Sequence, residues 1–249
     1  MIAGSCKGWP HNRRGLVEPV RFGGSIFSKS FMSIFQCSAI LFDLDGVLLD
    51  STRVVAQQYT IWALENGLDP ETVMKAAHGV RTVEVISRVA PQLDAEAETR
   101  KIELREAEAT GIVAMPGAVE LLNLIPKGRW CVVTSGTRFL ATTRMRKFGV
   151  PIPDVLVTAD DVTHGKPDPE PYRKGAELLQ VNPADCVVVE DAPAGIRAAH
   201  CAGMRVISLP STYPVDELKE ADAIVTGLPM IKVSLDGAGA RGPLVVSLM

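Results

Sequence analysis

Short apolar runs alternate with amphipathic segments along most of this chain. From Ser38 onward the runs are rich in branched residues and bounded by turn signals, which is typical of parallel βαβ units. Strands are predicted at 38–42, 129–134, 155–158, 186–189, 205–209 and 222–226. Helices are predicted between them at 117–125, 137–148, 170–180 and 193–202, and Gly149 and Gly203 are placed to end two of these as left-handed caps. The pattern predicts an α/β fold with a doubly wound parallel sheet.

The interval 53–115 breaks this rhythm because it shows helical periodicity and no convincing strand. Three helices are predicted there: one whose apolar face carries Val55, Tyr59 and Trp62, one that begins at the Asp69 N-cap, and a charge-rich one near 92–110. We interpret the interval as a small helical cap domain inserted after the first strand of the sheet.

The first 31 residues differ from the rest, with five basic residues against one acidic residue and no apolar periodicity. They lack the hydrophobic stretch of a secretory signal. We interpret 1–31 as a disordered tail or an over-extended start, with Met32 as the beginning, and a targeting peptide is the alternative. The predicted domains are then a catalytic core of 38–52 and 116–230 and a helical cap of 53–115.

Composition narrows the function classes. A chain of 249 residues with 47% apolar content can bury a full core and a smaller satellite. No apolar run reaches the roughly 18 to 20 residues of a membrane helix, so no membrane partner is expected. A pI near 5.9 offers no basic field for nucleic acid. Five cysteines without a CxxC pair suggest neither a disulfide framework nor a zinc site, which favours a cytoplasmic location.

Two carboxylates end the first strand, where Ala39-Ile40-Leu41-Phe42 leads into Asp43, Leu44, Asp45 and Gly46. The carboxyl ends of strands form the ligand crevice of an open α/β sheet. Two acids held this close repel one another unless a cation or a proton lies between them, which favours a metal site. The alternative is that the aspartates only cap a turn.

A second acidic pair, Glu190 and Asp191, follows the apolar stretch 186–189. Because Mg²⁺ prefers oxygen ligands and keeps some of its waters, a few carboxylates from different strands are sufficient to hold it. The alternative is that Asp191 serves as an N-cap for the next helix.

Two further strand ends carry groups suited to an anion. Thr134 and Ser135 supply a hydroxyl and backbone amides at a helix N-terminus, which suits phosphate, although an ordinary helix cap would look the same. Lys166 lies beside a proline in the stretch 164–169, where its ammonium could neutralise phosphate and carboxylate. A lone lysine is more often only solvated.

The four segments together, in this order, resemble the haloacid dehalogenase-like superfamily over about 38–226. The resemblance implies Asp43 as the nucleophile and Asp45 as the general acid and base. It also implies that Thr134 and the Ser135 amide bind phosphate and that Lys166 bridges phosphate and nucleophile. The resemblance implies that Mg²⁺ is bound by Asp43, the backbone carbonyl of Asp45, and Asp191 assisted by Glu190.

This resemblance implies phosphoryl transfer through an aspartyl-phosphate intermediate. A carboxylate attacks phosphorus in line, and Asp45 protonates the leaving alkoxide before it activates water. Dehalogenase members of the superfamily lack the second aspartate, so Asp45 favours a phosphatase.

Substrate choice in such families comes from the cap. The loop from His78 to Thr82 contains Arg81, which could reach a hydroxyl or a second anionic group; a solvated arginine in a helix connection is the alternative. This loop, together with the runs 116–119, 134–138, 165–172 and 190–196, is similar to the glycerol-phosphate and sugar-phosphate phosphatases. The predicted substrate-binding residues are His78, Arg81 and Arg138, and the expected partner is a small sugar or polyol phosphate.

Two other functions stay open. A β-phosphoglucomutase-like phosphotransferase shares the core and cap, but such mutases carry a histidine where this chain has Val55. A non-catalytic binding protein on the same fold would be expected to have lost a carboxylate, whereas all are present. A monomer or weak homo-oligomer is expected.

Overall fold

The computed structural model describes residues 34–77, 79–236 and 242–249. The interpretation of 1–31 and the substrate role predicted for His78 lie outside the described residues.

Six parallel strands form the central sheet, in the order β6-β5-β2-β7-β8-β9. They are β2 (Ala39–Phe42), β5 (Trp130–Val133), β6 (Leu156–Val157), β7 (Cys186–Glu190), β8 (Arg205–Ser208) and β9 (Ala223–Ile224). All six predicted strands are confirmed, and β7 runs one residue further than expected, to Glu190. Because β2 lies between β5 and β7, the residues that follow these three strands meet at the middle of one sheet edge.

Helices cover both faces of this sheet, as the doubly wound prediction requires. They are α5 (Ala118–Leu124), α6 (Arg138–Lys147), α7 (Glu170–Leu178) and α8 (Pro193–Ala202). Successive residues of a strand point to opposite faces. Accordingly Ile40 and Phe42 pack in the cluster that contains residues of α5 and α6, whereas Leu41 packs with residues of α7 and α8.

Four further helices lie between β3 (Leu49–Asp50) and β4 (Val113–Ala114), and we call the whole segment between these two strands the helical insert. They are α1 (Thr52–Glu65), α2 (Pro70–Ala77), α3 (Thr82–Val89) and α4 (Ala95–Glu108). The insert has its own apolar cluster around Trp62 and Ile86. Helix α3 was not delimited from the sequence, and neither was the short antiparallel pair β3-β4 that closes the base of the insert.

A second, antiparallel sheet of three strands joins the two ends of the described chain, in the order β1-β11-β10. Its strands are β1 (Ile34–Cys37), β10 (Ile231–Leu235) and β11 (Leu244–Leu248). Residues of this terminal sheet, including Phe35 and Val246, belong to the same apolar cluster as residues of α5. No element was predicted in these segments.

In the described part of the chain, no helix is both long and apolar enough to cross a membrane.

Candidate active site

The residues that follow β2, β5 and β7 line one cavity of about 100 Å³. Asp43 and Asp45 follow β2, Thr134 and Ser135 follow β5, and Asp191 follows β7. Residues of the helical insert complete the wall, with Val55, Tyr59, Val80, Thr82 and Glu106 among them. The structure therefore brings most of the residues singled out in the sequence to one cavity between sheet and insert.

Lys166 is buried at the floor of this site and binds two carboxylates. Its Nζ donates to Asp43 Oδ1 at 2.6 Å, to Glu190 Oε1 at 2.7 Å and to the backbone carbonyl of Val133 at 3.2 Å. Burial alone would lower the pKa of Lys166, but Asp43 and Glu190 outweigh burial and raise it. Lys166 therefore remains a cation beside Asp43, and the solvated alternative does not describe it.

Buried negative charge accumulates around Asp43. Burial is the main reason that the pKa of Asp43 is raised to about 7; Lys166 opposes the shift, and Glu190 and Asp45 add to it. Burial followed by repulsion from Glu190 and Asp43 raises the pKa of Asp191 well above its ordinary value. Carboxylate oxygens of Asp43, Glu190 and Asp191 lie within 4.8 Å of one another. Three buried carboxylates beside one ammonium leave an excess of negative charge, which fits a bound cation.

Glu190 is engaged on both of its oxygens. Oε1 accepts from Lys166 and from the Tyr172 hydroxyl at 2.9 Å, and Oε2 accepts from the backbone amides of Asp191 and Ala192 at 2.8 and 2.9 Å. These donors fix the start of the loop that carries Asp191. The arrangement suits an orienting group better than a direct metal ligand.

Gly46 allows the β2 loop to approach Asp191 closely. Its φ is +84°, which is left-handed, and a Cβ built there would lie 1.9 Å from Asp191 Oδ2. Any side chain at this position would push the Asp191 carboxylate out of the cluster.

The start of α6 is partly occupied by carboxylates of the protein itself. The Thr137 amide donates to Glu103 Oε1 at 3.1 Å, and the Arg138 amide donates to Asp160 Oδ2 at 2.8 Å. Thr134 and Ser135 precede these groups and face the cavity, although the Ser135 hydroxyl donates to the carbonyl of Gly79 in the insert at 2.9 Å. A phosphate in the cavity would therefore meet the two residues that the sequence predicted and not the later amides.

The carboxylate of Asp45 accepts hydrogen bonds from two side chains. Ser51 Oγ and Arg144 Nη1 both donate to Oδ1, at 2.5 and 2.7 Å. Arg144 Nη2 in turn lies 3.2 Å from Glu106 Oε2. The carboxylate of Asp45 therefore makes an ion pair within the protein through Oδ1.

Sequence reasoning missed Arg144 and Glu106. Arg144 lies in a helix with three basic residues in its last turn, and Glu106 lies in the charge-rich α4, so both look like solvated side chains. Arg144 is nevertheless only 1% exposed and Glu106 4%. Only the docking of α4 against α6 buries them, and neither residue's local pattern reports that contact.

The two arginines predicted to bind substrate do not line the cavity. Arg81 pairs with Glu84 and donates to the backbone carbonyls of Val162 and Thr163, which belong to the loop before Lys166. Arg138 is half exposed and binds Asp161 Oδ2 at 2.6 Å. Their predicted contact with substrate stays a prediction to which the structure adds no support.

Comparison with known proteins places this architecture in a family. The model of the haloacid dehalogenase-like hydrolases matches residues 37–203. Hexitol phosphatase A of Escherichia coli (strain K12) is 40% identical over 205 residues, covering 80% of this chain and 95% of the relative. Glycerol-1-phosphate phosphohydrolase 2 of Saccharomyces cerevisiae is 38% identical over 213 residues, covering 80% and 85%.

A solved structure agrees with the fold. The crystal structure of a hydrolase from Pseudomonas syringae superimposes with a TM-score of 0.69 at 25% identity, covering 78% of this chain and 94% of that one. The family match spans more than half of the chain and contains Asp43, Thr134, Lys166 and Asp191. The chain therefore belongs to the haloacid dehalogenase-like hydrolase family.

Proposed function

We propose that this protein is a phosphatase that hydrolyses a small sugar or polyol phosphate through an aspartyl-phosphate intermediate. The observation that carries the proposal is Asp43, held by Lys166 in a cavity that it shares with Asp45 and Thr134. The names of the relatives support the same chemistry, since both proteins compared above are phosphatases of small phosphorylated alcohols.

In the proposed first step, an Asp43 oxygen forms a bond to phosphorus and the bond to the substrate alcohol breaks. Lys166 offsets charge on Asp43 and on the phosphate oxygens, while Thr134 and the Ser135 amide orient the phosphate. Asp45 gives a proton to the leaving alkoxide. In the second step Asp45 takes a proton from water, which attacks phosphorus and releases inorganic phosphate from Asp43.

We propose Mg²⁺ as the cofactor, held by Asp43, Asp191 and the backbone carbonyl of Asp45, with Glu190 orienting Asp191. When bound, the ion would supply positive charge against the phosphate oxygens. The excess of buried carboxylate at this cluster supports the proposal.

Cavity size supports a small substrate. The cavity volume of about 100 Å³ corresponds to roughly three waters at about 30 Å³ each, which suits a small phosphorylated alcohol. The relatives named above act on a hexitol phosphate and on glycerol 1-phosphate, and we place the substrate of this chain in the same class without choosing between them.

We further propose that 53–115 acts as a cap over a core of 38–52 and 116–230. Insert residues form one wall of the cavity, so movement of the insert would open or close access to Asp43. From the cysteine pattern we propose a cytoplasmic location, and from the pI near 5.9 we propose that there is no nucleic-acid partner. The proposed state is a monomer or a weak homo-oligomer.

We do not favour the mutase alternative. Val55, the position where the mutases carry histidine, lines the cavity in this chain and can neither donate nor accept a proton. Proton transfer would therefore fall to Asp45, which suits attack by water.

Replacing Asp43 tests the proposed function. We expect Asp43→Asn to abolish hydrolysis of p-nitrophenyl phosphate and of glycerol 1-phosphate, because an amide is a poor nucleophile, and EDTA to abolish it reversibly. Release of inorganic phosphate measures both effects, and circular dichroism checks that the variant is folded. The exposed Asp154 gives the matched control, Asp154→Asn, which should retain wild-type turnover. Full activity of Asp43→Asn, or of the protein in EDTA, would refute the mechanism.

A further inference from the structure

Arg144 is the most deeply buried charged side chain of the cavity wall that the mechanism above does not use. Its side chain is 2% exposed, yet Nε and Nη2 make no hydrogen bond within the described residues. Burying a guanidinium with unmade hydrogen bonds costs stability. This cost to stability suggests that Arg144 serves the function of the protein. The hydrogen bond that Arg144 makes is to Asp45.

Among the described residues, the hydrogen bonds that Asp45 accepts from other side chains all go to one of its two carboxylate oxygens. Ser51 and Arg144 both donate to Oδ1, and in the described part of the chain no hydrogen bond to Oδ2 is present. Asp45 lines the cavity, and its side chain is 28% exposed. Negative charge is thus stabilised on Oδ1, which leaves Oδ2 as the oxygen that can carry a proton toward the cavity.

Glu106 braces Arg144 from the other side. It belongs to α4 of the helical insert, whereas Arg144 belongs to α6 of the core, and their charged atoms lie 3.2 Å apart. The chain of contacts therefore runs from the insert through Arg144 to Asp45. Glu106 is 4% exposed, so little water competes for this pair.

We propose that Arg144, braced by Glu106, is a positioning residue that aims Asp45 at the reacting oxygen, so that proton transfer depends on the insert being docked. This inference rests on the proposed function, because it assigns Asp45 the proton transfers. Arg144 itself has no contact with substrate in this scheme.

The inference has different consequences for different leaving groups. An alkoxide leaves only with the proton of Asp45, whereas p-nitrophenolate is a stable anion and leaves without one. The second step is the same for both substrates, because Asp45 must take a proton from water before the bond between phosphorus and Asp43 breaks. Loss of Arg144 should therefore slow both steps for an alkyl phosphate but only the second step for p-nitrophenyl phosphate.

The test is rapid-mixing kinetics of Arg144→Met with glycerol 1-phosphate and with p-nitrophenyl phosphate. General acid–base catalysis contributes about 10²- to 10⁴-fold to the rate. We expect Arg144→Met to misplace the Asp45 carboxylate and so to lower the rate of each affected step by roughly 10- to 100-fold. On p-nitrophenyl phosphate, a burst of p-nitrophenolate approaching one per active site should precede a slowed steady state. On glycerol 1-phosphate no burst should appear and KM should stay near the wild-type value. On p-nitrophenyl phosphate KM should fall together with kcat, because the phosphorylated enzyme accumulates when only its hydrolysis is slowed.

Three further variants serve as controls for this test. Arg144→Lys keeps the charge and should recover part of the rate. Glu106→Met removes the polar partner of Arg144 and leaves Arg144 in place, so it should show the same burst with a smaller loss, even if Arg144→Met fails to fold. Arg146→Met, at an exposed position of the same helix, should behave as wild type. A loss without a burst, or no loss, in folded Arg144→Met or Glu106→Met would overturn the inference. If Asp43→Asn is inactive while this pattern is absent, the inference alone has failed.

Discussion

Burial in the folded protein disfavours the ionised form of the Glu106 carboxyl. Burial raises its pKa from 4.5 to about 8; Arg144 opposes this shift, and Asp45 and Glu103 add to it. The folded protein therefore binds a proton at Glu106 that the unfolded chain releases at lower pH. By linkage, the stability that this proton provides is fully present below pH 4.5 and is lost as the pH rises to about 8.

Glu106→Gln should reveal this loss. Glutamine has a similar shape and cannot ionise, so the variant is insensitive to pH at this position. We expect the free energy of unfolding of Glu106→Gln, relative to wild type, to become steadily more favourable from pH 5 to pH 8. Urea denaturation across that range measures it. The exposed Glu108 on the same helix supplies the control Glu108→Gln, whose difference from wild type should stay flat with pH. A flat difference for Glu106→Gln would show that its carboxyl ionises normally.

At the scale of elements, the first turn of α3 and the residue that precedes this helix bind the core. Arg81 donates to Val162 and Thr163, and Glu84 Oε1 accepts from the amide of Gly165, one residue before Lys166. The insert therefore contacts the loop that carries Lys166. This placement makes Arg81 a contact between insert and core, in contrast to the contact with substrate hydroxyls that its sequence context suggested.

Arg81→Ala distinguishes the two roles. A fastening role predicts a similar loss of kcat/KM on glycerol 1-phosphate and on p-nitrophenyl phosphate, since both need Lys166 and a docked insert. Charge-assisted hydrogen bonds contribute about 1.5 to 3 kcal/mol each, so a loss of tenfold or more is expected. Arg88→Ala is the control, because Arg88 lies in α3, the helix that Arg81 precedes, and is exposed. A loss confined to glycerol 1-phosphate would instead establish Arg81 as a substrate contact.

At the scale of the molecule, the terminal sheet completes the main core. Ile231, Leu244, Val246 and Leu248 are buried in the cluster that also holds Phe42 and Val132. Burying an apolar side chain of this size stabilises by about 1.5 to 3 kcal/mol. Four of them amount to roughly 6 to 12 kcal/mol, which is comparable with the whole stability of a typical domain.

A chain that ends at Met230 should therefore fail to fold, although every predicted active-site residue is retained. Soluble yield, circular dichroism and thermal unfolding measure this. A chain that begins at Met32 is the matched control, and we expect it to equal the full chain in kcat and Tm, because it keeps β1 and the rest of the terminal sheet. A folded, active chain ending at Met230 would show that the terminal sheet is dispensable.

The sequence by itself determined the central sheet and the side chains that follow its strands. Apolar runs of strand length, glycine stops and Pro-initiated helices are local signals, and local signals suffice where each strand is buried on both faces. The position of Asp43 after β2 and of Asp191 after β7 followed directly, because the carboxyl ends of parallel strands share one edge of the sheet.

Only the tertiary structure decided which of the many surface-like charges are buried. Arg144 and Glu106 carry no periodic signal, and it is the docking of α4 on α6 that removes them from water. The contacts of Arg81 with the core could not be foreseen for the same reason, since its partners Val162 and Thr163 lie about 80 residues away in sequence. The terminal sheet pairs β1 with β11 across the whole chain. Each of these contacts joins distant segments, and the energy of such a contact depends on shape and burial that no local pattern contains.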